Sequence, residues 1–137
     1  MSQSMRTELG KVRGLGSAHH GTHHWWMQRL SAIALVPLTI WFIISVLEIT
    51  SYSLPTKLDT TATHAIMYFA HPFNVVMAAL LIVCTFYHLQ LGLQIVIEDY
   101  VPNTSVKIAT IIAVKFASFS IALACLFAIF RISLYYH

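Results

Sequence analysis

Three long apolar stretches limit this 137-residue chain more than any other feature of its sequence. They cover approximately residues 30–47, 72–97 and 108–130, and each is close to or above the ~20 residues that a helix needs to cross a hydrocarbon core. Only 9% of the residues are charged, whereas a soluble domain carries about a quarter. The sequence therefore predicts an all-α membrane protein, with one domain over 1–137 and three transmembrane helices.

The polar segments between these stretches predict how the chain is oriented. A loop is expected at about 48–63 and a shorter link at 98–107. Five basic residues lie on the side of the N-terminus and the second link, and two lie opposite: Arg6, Lys11, Arg13, Arg29 and Lys107 against Lys57 and Arg131. Because basic residues collect on the inner side, the N-terminus is predicted inside, in the cytoplasm or the mitochondrial matrix. The net charge of +3 is too small and scattered to indicate nucleic-acid binding.

His88 is an ionisable residue deep in the second predicted span, where such groups are costly and usually functional. One interpretation is a hydrogen bond to a neighbouring helix. A proton relay would require further acidic residues within the span, and the sequence has none there. A third interpretation is an axial ligand of haem iron, with Gly92 leaving room for a ring one turn further on. The sequence has no second histidine at similar depth, so such a haem would require a partner protein.

Asp99 and Tyr100 end the second predicted span, about 16 Å of helical rise beyond His88. A helix end meeting water, with an interfacial tyrosine, is the plain interpretation. The functional interpretation is a site for a lipophilic carbonyl compound such as a quinone. A phenol can donate a hydrogen bond to a quinone oxygen, and a nearby carboxylate can position the ring or pass protons.

Other polar residues also have two interpretations each. Arg29 is either a flanking cation of the inner surface or a partner for an anionic group such as a haem propionate. Lys115 either extends to the membrane surface or contacts a cofactor carboxylate. Four N-terminal histidines resemble a metal-binding tract, but their spacing favours interfacial or intersubunit contacts: His19, His20, His23 and His24.

Two motifs resemble those of one family. The run His-Trp-Trp-Met-Gln-Arg-Leu-Ser-Ala at 24–32 precedes the first span, and the second span carries His88, Gly92 and Asp99-Tyr100. This pattern resembles the hydrophobic membrane anchor of succinate dehydrogenase (respiratory complex II), over roughly residues 14–101. The companion cytochrome b protein of that complex typically has a Ser-Pro-His stretch, a His-Arg pair and Asp-Gly, none of which occurs here.

The resemblance implies a specific role for each site residue. His88 would be one axial ligand of a b-type haem shared with the cytochrome b protein, and Arg29 would lie near its propionates. Tyr100 would hydrogen-bond ubiquinone, supported by Asp99 near the iron–sulfur protein of the complex. The chain itself would carry no catalytic residue.

The same resemblance implies the chain's place in a complex. It would be the membrane anchor of a succinate:ubiquinone oxidoreductase, forming half of a heterodimeric helical bundle in a bacterial or mitochondrial inner membrane. FAD and the iron–sulfur clusters would lie in two soluble partners, the flavoprotein and the iron–sulfur protein. The alternative is a structural anchor of a respiratory complex that has no cofactor of its own.

Overall fold

The computed structural model describes residue 9 and residues 19–51 and 58–135, and over these ranges the chain is helical apart from short links. Among the described residues, three helices are long and apolar enough to cross a membrane, with spans at Thr22–Ser51, Pro72–Tyr100 and Thr104–Leu134. The prediction of an all-α membrane protein with three transmembrane helices is therefore confirmed. Over residues 19–135, the described part of the chain forms α1 (His19–Ser51), α2 (Leu58–Ala70), α3 (Pro72–Tyr100) and α4 (Thr104–Tyr135).

The predicted loop at 48–63 is wrong over much of its length. Helix α1 continues to Ser51, and α2 begins at Leu58. The polar residues at the end of α1 are still helical, and their hydroxyls bond to carbonyls of the preceding turn. Thr50 Oγ1 donates to the Val46 carbonyl at 2.7 Å, and Ser51 Oγ donates to the Glu48 carbonyl at 3.0 Å.

The second predicted link, 98–107, shrinks to residues 101–103. Asn103 caps α4, since its Oδ1 accepts from the backbone N–H groups of Ser105 at 3.0 Å and Val106 at 3.3 Å. Lys107 Nζ reaches back across the link and donates to the Glu98 carbonyl at 2.8 Å. The side chains of Asn103 and Lys107 thus satisfy backbone groups at the start of α4 and at the end of α3.

The long helices form an open layer rather than a closed bundle. Helix α3 packs against both α1 and α4, whereas α1 and α4 do not contact each other over the described ranges. The short helix α2 contacts all three long helices. We call the end where α1 begins, α3 ends and α4 begins the N-terminal end, and the opposite end the α2 end.

The buried core of the layer is small and partly polar. Three of the buried side chains are serines: Ser31 and Ser45 on α1 and Ser118 on α4. On α1, the buried residues Ser31, Leu38 and Ser45 follow one another at intervals of seven residues, which places all three on one face of the helix. Small residues on such a face let helices approach closely. Most large apolar side chains point outward, as Phe116 does with 70% of its surface exposed, so lipid or other proteins must cover them.

Candidate functional site

His88 lies past the middle of α3, toward the N-terminal end, and its ring faces α1. Its Nδ1 is 3.0 Å from the hydroxyl oxygen of Ser31. The Ser31 hydroxyl also donates to the carbonyl of Gln28, one turn earlier on α1, at 2.9 Å. Ser31 is buried, with 7% of its surface exposed, while His88 is half-buried. The imidazole is therefore attached through one nitrogen to a hydroxyl inside the α1–α3 interface.

These two contacts together bear on which imidazole nitrogen carries the proton. A serine hydroxyl has one hydrogen to donate, and a backbone carbonyl can only accept. If the Ser31 hydrogen goes to Gln28, the remaining bond requires His88 Nδ1–H as its donor. Nε2 then carries a lone pair, and it makes no hydrogen bond to the described part of the chain. A neutral imidazole with a free Nε2 is the form that binds a metal.

Gly92 lies one turn beyond His88 and faces Gln28. A Cβ atom added at Gly92 would lie 3.7 Å from the Gln28 side-chain nitrogen, which is an ordinary van der Waals contact. The sequence suggested that this glycine leaves room for a cofactor ring. In the structure its neighbour is instead a side chain of α1, so this glycine gives no support to the haem interpretation.

A polar cleft opens between α1 and α3 at the N-terminal end, with a volume of about 650 Å³. His24 contributes a buried Nε2 that has no hydrogen-bond partner within the described residues. On the opposite wall, Gln94 Nε2 donates to Glu98 Oε1 at 2.8 Å. The lining residues are His23, His24, Trp25 and Gln28 from α1 and Gln94, Ile95 and Glu98 from α3.

Asp99 and Tyr100 lie beside this cleft, at the exposed end of α3. Both side chains are exposed, Tyr100 with 81% of its surface. Over the described ranges, neither side chain makes a hydrogen bond, and neither lines the cleft. Both groups are accessible at the level where the predicted span meets water. The structure places them along the same helix as His88 but not in contact with it.

Arg29 is exposed near the start of the first span and stacks on an aromatic ring. Its guanidinium carbon lies 4.5 Å from the centroid of the Trp25 ring, a cation–π contact. Trp25 in turn meets Trp26 edge-on, with ring centroids 5.3 Å apart. Arg29 makes no contact with His88 in the described structure, so its predicted role toward haem propionates stays a prediction.

The remaining polar features do not form a metal centre. Among the described residues, no group of three or more His, Cys, Asp or Glu side chains is arranged to hold a metal ion. The side chains of His19 and His20 fall outside the described part of the structure. Lys115 is exposed on α4, whereas Ser118, one turn further on, is buried.

Sequence reasoning overlooked Ser31 and the residues of the cleft. Ser31 falls within the motif at 24–32, but its partner is 57 positions away and no local pattern indicates it. One signal was present: Ser31, Leu38 and Ser45 follow a seven-residue spacing that marks a packed helix face. The amides of Gln28 and Gln94 could have been noted as polar groups next to an apolar stretch.

Comparison with known proteins identifies the family. Residues 3–122 match the sequence model of the succinate dehydrogenase/fumarate reductase transmembrane subunit. The chain belongs to this family. The succinate dehydrogenase hydrophobic membrane anchor subunit of Rickettsia bellii is 32% identical over 130 residues, which cover 95% of this chain and 98% of the relative. The protein of the same name from Paracoccus denitrificans is 34% identical over 123 residues, covering 90% and 88%.

A more distant relative is the succinate dehydrogenase membrane anchor subunit of Reclinomonas americana, 29% identical over 98 residues that cover 69% of this chain and 75% of the relative. No solved structure matches the chain. The predicted resemblance to succinate dehydrogenase membrane anchors is confirmed. The chain is a multi-pass membrane anchor of this oxidoreductase family, located in a bacterial or mitochondrial inner membrane, and the other proteins of the complex are its partners.

Proposed function

We propose that this chain is the membrane anchor of a succinate:ubiquinone oxidoreductase, with half of a b-type haem site and part of a ubiquinone-reduction site. The observation that carries the proposal is the His88 imidazole. Its Nδ1 lies 3.0 Å from Ser31 Oγ, and we assign the proton to Nδ1, which leaves the Nε2 lone pair available to iron. Family membership supplies the context, because it places the chain in a succinate dehydrogenase or fumarate reductase complex.

A haem with two histidine ligands requires a second imidazole, which we assign to the cytochrome b protein of the complex. When bound, the haem supplies a one-electron redox centre inside the membrane. His88 would bind its iron, and Arg29 would lie near its propionates. The open layer supports this sharing, because His88 is half-buried and accessible from outside the chain. The outward apolar surface of α1, α3 and α4 supports a second helical protein packed against the layer.

The ubiquinone site is assigned to the end of α3. The Tyr100 hydroxyl is exposed and unpaired within the described chain, so it can donate a hydrogen bond to a quinone carbonyl. Asp99, its neighbour in sequence and also exposed, orients the quinone or relays protons to it. Reduction of the quinone takes up two electrons and two protons. The electrons come from succinate through the FAD of the flavoprotein and the clusters of the iron–sulfur protein, both of which dock at the N-terminal end.

The haem assignment is tested on the intact complex purified in mild detergent. The co-purifying proteins are identified, and the reduced-minus-oxidised optical spectrum is recorded for wild type and His88→Ala. We expect the sharp bands of a bis-histidine haem in wild type and their loss in His88→Ala. His71→Ala is the matched control, because His71 is exposed before α3 at the α2 end and should leave the spectrum unchanged.

Two results would contradict the assignment. Unchanged haem bands in His88→Ala would show that another residue binds the iron. A complete wild-type complex without haem bands would favour the alternative, an anchor without a cofactor of its own.

A further inference from the structure

Ser31 is the one side chain of the described structure that hydrogen-bonds His88. We infer that Ser31 is a positioning residue for the axial imidazole, acting through a chain of two hydrogen bonds that ends on the Gln28 carbonyl. The Ser31 hydroxyl donates to the Gln28 carbonyl, so we assign His88 Nδ1–H as the donor to Ser31 Oγ. The inference rests on the proposed role of His88 as a haem ligand and names a residue that tunes that ligand.

The bond to Gln28 holds the acceptor in place. Ser31 Oγ lies 2.9 Å from a carbonyl of its own helix, three residues earlier, so the serine side chain cannot rotate without losing that bond. The hydroxyl therefore presents its lone pairs from a position set by the α1 backbone. The His88 ring is therefore hydrogen-bonded to an oxygen whose position is fixed by helix α1, rather than to a mobile side chain.

The imidazole needs this attachment for two reasons. A histidine ring turns about two side-chain bonds, and a hydrogen bond at Nδ1 restricts the plane in which Nε2 meets the iron. The same bond selects the tautomer whose proton is on Nδ1, and a hydrogen bond donated from there raises the basicity of the ligand. A more basic imidazole stabilises ferric over ferrous iron and so lowers the reduction potential.

Burial makes Ser31 difficult to replace. With 7% of its surface exposed, Ser31 lies where water does not readily supply another acceptor. Removing its hydroxyl leaves the Nδ1–H group of His88 unpaired at the helix interface, and an unsatisfied buried donor is costly. The ring would then turn or change tautomer to recover a partner.

A second serine on the same helix provides a matched control. Ser45 is buried to 2% exposure, donates to the Trp41 carbonyl at 2.8 Å and lies 2.7 Å from the Tyr68 hydroxyl. It therefore makes the same pair of contacts, one within α1 and one to another helix. Its second partner is a phenol of α2 rather than the proposed ligand.

The experiment compares Ser31→Thr with Ser31→Val in the full purified complex. Threonine and valine have nearly the same shape, so they disturb packing equally and differ in the hydroxyl alone. The readouts are the midpoint potential of the haem, its low-spin EPR signal and the rate of haem transfer to excess apomyoglobin. These properties report the ligand itself, and a purely structural role for Ser31 would not move the potential or the EPR signal.

We expect Ser31→Thr to resemble wild type. Ser31→Val should raise the midpoint potential, shift the EPR signal and weaken haem binding by about 10-fold to 100-fold, the usual cost of losing a residue that orients a metal ligand. Ser45→Ala should leave potential and EPR signal at their wild-type values, even if it lowers thermal stability.

The outcomes separate this inference from the proposed function. If His88→Ala removes the haem while Ser31→Val keeps the wild-type potential and EPR signal, the positioning role is wrong and the ligand role stands. If His88→Ala keeps the haem, the proposed function itself fails. If neither Ser31 variant assembles, Ser31→Cys replaces them, with a weakly accepting sulfur in the same place. An unchanged potential in Ser31→Cys would also overturn the inference.

Discussion

Tyr100 presents its hydroxyl at the end of α3 without a partner in the described chain, so the effect of removing that hydroxyl should be functional rather than structural. We expect Tyr100→Phe to assemble normally and to lower kcat/KM for ubiquinone reduction about 2-fold to 10-fold, the effect of one hydrogen bond worth about 0.5–1.5 kcal/mol. Steady-state quinone reductase assays with the purified complex measure this change.

Tyr87→Phe serves as the control for this substitution. Tyr87 is also an exposed tyrosine of α3, but it lies within the span and away from the proposed quinone position. The control should retain wild-type kinetics. Wild-type quinone kinetics in Tyr100→Phe would show that the Tyr100 hydroxyl does not take part in quinone binding.

Gly92 offers a second test at the level of one residue. An alanine Cβ would meet the Gln28 side chain at an ordinary distance of 3.7 Å, and alanine is favoured over glycine in a helix by about 0.5–1 kcal/mol. We expect Gly92→Ala to leave haem content unchanged and to raise slightly the temperature at which the complex unfolds. Loss of haem in this variant would instead show that a ring lies against Gly92.

At the scale of helices and links, the turn between α3 and α4 depends on the cap at Asn103. Its Oδ1 accepts from two N–H groups in the first turn of α4, so Asn103→Ala should cost about 1 kcal/mol of stability. Thermal unfolding of the detergent-solubilised complex measures the loss. Asn103→Asp keeps the acceptor oxygen and should remain close to wild type; equal losses in both variants would show that the cap is not the cause.

The sequence predicted the three spans well, because twenty or so apolar residues have few other stable environments. It predicted their ends poorly. Thr50 and Ser51 look like loop residues, yet their hydroxyls bond to their own helix. Helix α2 was missed because its threonine-rich start suggests a loop. Ser31 was not assigned a role, because its contact with His88 joins two helices that are distant in sequence.

At the scale of the whole molecule, the three spans of the described residues put the start of α1 and the end of α4 on opposite sides of the membrane. The basic residues predict that the N-terminus is inside. We therefore expect a C-terminal alkaline phosphatase fusion to be active and a C-terminal green fluorescent protein fusion to be dark in a bacterial host. Fusions after Asn103, in the second link, should give the reverse pattern. If the phosphatase is active when fused after Asn103 and inactive at the C-terminus, the predicted orientation is wrong and the N-terminus lies outside.

The open layer has a consequence for the order in which the protein is made. The ribosome delivers α1 first, then α3, and α4 last. The hydrogen bond between Ser31 and His88 joins α1 to α3 and requires nothing from α4. The contact that orients the imidazole can therefore form in a hairpin of the two spanning helices α1 and α3, before α4 packs against α3.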